Sequence, residues 1–123
     1  VKAIAGLCLL VFLAANGFAQ DEVVDATDLD ALRAKAGMDA TVEGLVHDIG
    51  TTKDSSITFI NIGMPKKEGF VALAFQKDYA AFPDGFDKYR NQKVRVKGLV
   101  KLYKSEIPQI ILSSPDQIEI VTE

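Results

Sequence analysis

Residues 93–103 alternate without a break. Val94, Val96, Gly98, Val100 and Leu102 fall on one side; Lys93, Arg95, Lys97, Leu99, Lys101 and Tyr103 fall on the other. A period of two marks a strand with one buried face, so the valines face the core. The same period runs through residues 41–47, where Val42, Gly44 and Val46 share a side. Shorter apolar runs at 56–62 and 70–76 predict two further strands, with Pro65 barring a ladder between them. A last strand, from about 109 to 121, is broken at Ser113-Ser114-Pro115, where a bulge or bend is expected. Two segments carry helical spacing instead. In 77–90, Tyr79, Phe82, Phe86 and Tyr89 recur at steps of three and four; Pro83-Asp84-Gly85 interrupts them, so a short helix followed by a turn is the other reading. In 28–36, Leu29, Leu32 and Ala36 line one side, Thr27 is the expected N-cap with Asp30 completing a capping box, and Gly37 is the stop. Residues 20–26 are acidic and non-periodic, a loose leader.

The resulting order is β-β-β-α-β-β. An all-β chain with short helices in this order is a five-stranded OB-fold Greek-key barrel, here preceded by a short N-terminal helix. Such a barrel coils its strands sharply, and a glycine inside a strand permits the bend. Gly44 and Gly98 stand in matching stretches, Val42-Glu43-Gly44-Leu45-Val46 and Val96-Lys97-Gly98-Leu99-Val100. The first and fourth strands are neighbours in this barrel, so Glu43 is expected to approach Lys97.

The N-terminal segment sets the expected location. Lys2 precedes an apolar run over 3–15, and small residues Gly17 and Ala19 stand where a signal peptidase cuts. Thirteen apolar residues span roughly 20 Å, too short for the hydrocarbon core of about 30 Å. Residues 1–19 therefore read as a cleaved signal peptide, which leaves no membrane anchor and a periplasmic or secreted product. Residues 20–39 form the leader and short helix, and 40–123 the OB domain. Cys8 lies inside the signal, so the remainder has no thiol for a disulfide, a zinc site or a nucleophile. The composition, 48% hydrophobic and 25% charged, excludes collagen-like and disordered classes. A net charge of −3 argues against a generally basic nucleic-acid binder but leaves room for a local basic patch.

The stretch from Lys93 to Lys104, followed by Ile107-Pro108-Gln109-Ile110-Ile111-Leu112 and Ser114-Pro115-Asp116-Gln117-Ile118, resembles small exported bacterial OB-fold, nucleic-acid-binding-like domain proteins. Thr58-Phe59-Ile60-Asn61-Ile62-Gly63 is similar to their second strand. The resemblance runs over about 41–121 and implies the fold, with nucleic-acid binding as the associated expectation. Asn91-Gln92-Lys93 departs from the Gly-Lys turn such domains often carry.

The strongest polar feature is a basic run, Lys88, Arg90, Lys93, Arg95, Lys97, Lys101 and Lys104, with Tyr103 available to stack on a base. Lys93, Arg95, Lys97, Lys101 and Tyr103 are thus the candidate residues for single-stranded nucleic acid or another polyanion. A solvated strand face is the competing reading. The second and third strands, where OB domains usually bind, carry no Lys or Arg of their own. His47 and Asp48 are adjacent and point to opposite faces of a strand, which rules out a base with its orienting carboxylate. Asp25, Asp28 and Asp30 lack the glycine and closing glutamate of a calcium loop. The serines at 55, 56, 113 and 114 read as turn residues. The sequence has no carboxylate–arginine cluster of the kind metal-dependent nucleases use. It therefore reads as non-catalytic, with no metal and no cofactor. Phe59, Phe70, Phe75, Phe82 and Phe86 are expected to supply core volume; Phe59 and Phe70, if they faced outward, would form a stacking or docking platform. Two functions follow: a polyanion-binding module working through the fourth strand, or a module that docks a protein partner of the envelope through the OB face or a sheet edge.

Overall fold

The computed structural model describes residues 22–65 and 68–122. The expected signal peptide, with Cys8, lies outside the described residues. Among the described residues seven strands are present where five were expected: β1 (Val23–Asp25), β2 (Asp39–Thr51), β3 (Ile57–Ile62), β4 (Phe70–Phe75), β5 (Lys93–Tyr103), β6 (Ile107–Leu112) and β7 (Ile118–Ile120). A helix α1 (Leu29–Ala34) joins β1 to β2. Its N-cap is Asp28, whose side chain accepts from the Ala31 amide. Thr27, the expected cap, instead donates its amide and hydroxyl to Asp25.

Five strands close an OB-like barrel in the ring β2–β3–β4–β6–β5 and back to β2, antiparallel throughout except for the parallel pair β4–β6. The other two are short extensions. β2 is flanked by β3 along Val46–Thr51, then by β1, in parallel, along Thr41–Glu43. β5 is flanked by β6 along Val100–Tyr103, then by β7 along Val94–Val96. The acidic leader is therefore in part a strand, with Val24 and Ala26 buried in the core. The break expected in the last strand is the 3-10 turn Pro115–Gln117 between β6 and β7.

Both long strands change neighbours at their glycine. A Cβ on Gly44 would stand 2.6 Å from the Ala26 Cβ and 2.9 Å from Ile62 Cγ2, where β3 gives way to β1. A Cβ on Gly98 would meet Ile110 Cγ2 at 2.8 Å and Gln117 Nε2 at 2.9 Å, where β6 gives way to β7. Gln117 fills the second junction: its Nε2 donates to the carbonyls of Lys97 and Ile111, and its Oε1 accepts from the amides of Ser113 and Ser114. The two matching glycine stretches thus answer one geometric need, close approach at a junction.

The core runs through the barrel axis: Val42, Val46, Ile60, Ile62, Phe70, Val94, Val96, Val100, Ile110 and Leu112 are fully or almost fully buried. The predicted helix over 77–90 is instead two 3-10 turns, Gln76–Ala81 and Asp87–Tyr89, because Pro83-Asp84-Gly85 stops the first and Gly85 takes φ +70°. Its aromatic spacing still does its work. Phe82 packs against Phe86 with centroids 4.8 Å apart, and Tyr79 meets Phe86 edge-on. The Tyr79 hydroxyl accepts from Thr58 and donates to the Ser55 carbonyl, tying these turns to the β2–β3 hairpin.

Candidate functional site

Side-chain alternation gives the barrel two outer surfaces. The first covers β1, the start of β2, the start of β5, and β7. Here the register sets Asp25 beside Glu43, Glu43 beside Arg95, and Arg95 beside Glu119. Arg95 Nε donates to Glu43 Oε1 at 2.7 Å, and Lys93 Nζ stands 3.0 Å from Glu43 Oε2. The Arg95 hydrogen bond first, and then that of Lys93, hold the Glu43 carboxyl below its ordinary range. Hydrogen bonds from Thr27 do the same for Asp25, with a smaller contribution from the Lys93 charge. The expected Glu43–Lys97 approach is therefore corrected by two residues of register: Lys97 lies opposite Thr41. It lines a groove of about 460 Å³ with Glu22, Lys35, Thr41 and Gln117, in which Lys35 is 3.5 Å from Glu22.

The basic strand is thus divided at Gly98. Lys93, Arg95 and Lys97 lie on the first surface among carboxylates from three other strands. Lys101 and Tyr103 lie on the second, opposite Gln109 and Ile107. Tyr103 is 49% exposed, and the Lys104 ammonium sits 5.3 Å from its ring centroid, at cation–π range. The structure does not gather the five candidate residues into one site.

The second surface is formed by β3, β4, β6 and the end of β5. One row across it reads Phe59, Leu73, Ile111 in register. Leu99, next to the Val100–Ile110 pair, carries the row onto β5, where Asp39 of β2 lies opposite it. Leu99 is 45% exposed; Phe59 and Ile111 are half-buried, and Leu73 is the buried floor at 6%. The adjacent row reads Asp48, Asn61, Val71, Gln109, Lys101, with Asn61 Nδ2 donating to Asp48. The outcome for the two aromatic candidates is split: Phe70 is core, whereas Phe59 lies on this outer surface. Phe75 is likewise absent from the core, while Phe82 belongs to it and Phe86 packs against it. Phe59 is the one member of this row that the sequence offered as an outward platform; Leu73, Ile111 and Leu99 come from three other strands, and Leu73 and Ile111 look in the sequence like ordinary core. The alternate positions of β3 and β4 were the available signal, since both sides of each strand are apolar.

The remaining candidates fall away locally. His47 is exposed at a bulge between Val46 and Asp48. Asp30 pairs with Arg33 at 3.3 Å. In the β2–β3 turn, hydrogen bonds from Ser56 and then Thr52 bring Asp54 down to about 2. Among the described residues, no three His, Cys, Asp or Glu are grouped to hold a metal ion.

No protein-family model matches this chain, and no curated protein matches it. Solved structures do. The chain is similar to an OBody bound to hen egg-white lysozyme, with 16% identity, a TM-score of 0.50, and 74% of this chain and 85% of that one covered. It is also similar to an aspartyl tRNA synthetase from Entamoeba histolytica, at 15% identity and a TM-score of 0.52, over 80% of this chain and 22% of that one. A third similar structure is the Stn1–Ten1 complex of S. pombe, at 14% identity and a TM-score of 0.51, over 69% of this chain and 59% of that one. The chain thus spans about a fifth of the synthetase chain. Likeness at such identities is one of fold, and it sets the chain among OB-like barrels.

Proposed function

We propose that the chain is a non-catalytic OB-like binding module that docks a protein partner through the second outer surface. The observation that carries this reading is the row Phe59–Leu73–Ile111–Leu99, an apolar line across the sheet that ends at exposed Leu99 and is bordered by Gln109 and Lys101. An apolar centre with a polar rim is the anatomy of a protein interface. The charge pairing on the first surface weighs against the polyanion reading, since Lys93 and Arg95 share Glu43. Two fold-mates give analogies for the docking reading: the OBody is bound to a protein, and Stn1–Ten1 is a complex. With the export signal expected over 1–19, an envelope protein is the partner to seek.

Single-stranded nucleic acid remains as a second reading, favoured by exposed Tyr103 beside Lys101 and Lys104 on the β5–β6 hairpin. One experiment separates the two. A photo-crosslinker at position 99 is expected to give a discrete protein adduct, and one at exposed position 45 none. Labelled single-stranded DNA, titrated at about 50 and 200 mM salt, is expected not to bind. Salt-sensitive DNA binding lost in Lys101→Ala/Tyr103→Ala/Lys104→Ala, with no adduct at 99, would move the assignment to nucleic acid.

A further inference from the structure

We draw no further inference here: the strongest candidate, the apolar row Phe59–Leu73–Ile111–Leu99 across the second outer surface, belongs to the site already described, and nothing in the structure shows what covers it.

Discussion

The two outer surfaces of this barrel are built from the same strand, yet they have opposite chemistry. Before Gly98, β5 lays Arg95 between Glu43 and Glu119, and the charges are satisfied within the molecule. After Gly98, it contributes Leu99, Lys101 and Tyr103 to a surface whose remaining members are mostly apolar. The difference teaches that a run of cations in one segment is not a field. The field depends on which strands lie beside it, and here they bring carboxylates from positions 25, 43 and 119.

The comparison is most severely tested at the bend that separates the surfaces. Gly44→Val or Gly98→Val drives a side chain into contacts already under 3 Å, and either is expected to cost about 3 kcal/mol in chemical denaturation. Loss of less than about 1 kcal/mol would mean that the junctions yield and the two surfaces are not rigidly divided. Next comes Glu43→Gln, which leaves Lys93 and Arg95 without their shared carboxylate. It should cost about 1 kcal/mol, because the pair is only partly shielded. The same change should raise salt-sensitive binding of single-stranded DNA, most clearly when combined with Glu119→Gln. No gain would mean that the pairing is not what silences the strand.

The pH dependence follows with its sign. The Glu43 carboxyl titrates lower in the folded chain than its ordinary 4.5, so its contribution is present above that value and is lost as pH falls through the folded one. The stability gap between the parent chain and Glu43→Gln should therefore be constant near neutrality and close in acid, as urea titrations at stepped pH would show. The smallest effect on the fold belongs to the other surface. Leu99→Asp should change stability by no more than about 0.5 kcal/mol while removing the position-99 partner, since that side chain is nearly half exposed.

What the sequence revealed follows the physics of alternation. Strand β5 matches residues 93–103 at both ends because an unbroken period of two admits one reading. The faces of β2 and β5 were legible, but their register was not. A slip of two residues preserves every inward-facing position, so Glu43 was matched with Lys97 rather than with Arg95. β1 escaped notice because a three-residue strand has no periodicity to show; Val24 pairs with Val42 and joins the core. The aromatic spacing of 79–89 correctly marked a face but not a helix, since 3-10 turns broken by Pro83 bring the same rings together. The apolar surface was the least legible part, because no local pattern distinguishes an outward Leu73 from an inward Ala72.

The bond between Arg95 and Glu43 also has a bearing on time. It joins residues 52 apart in the chain, whereas the hairpins β2–β3–β4 and β5–β6 are local. Closure over that distance is expected to follow the hairpins, and a chevron comparison of the parent chain with Glu43→Gln would show it as faster unfolding at an unchanged refolding rate. Glu43 is thus a latch on a finished ring. Taking it away leaves the rate of assembly nearly unchanged and shortens the lifetime of the closed state.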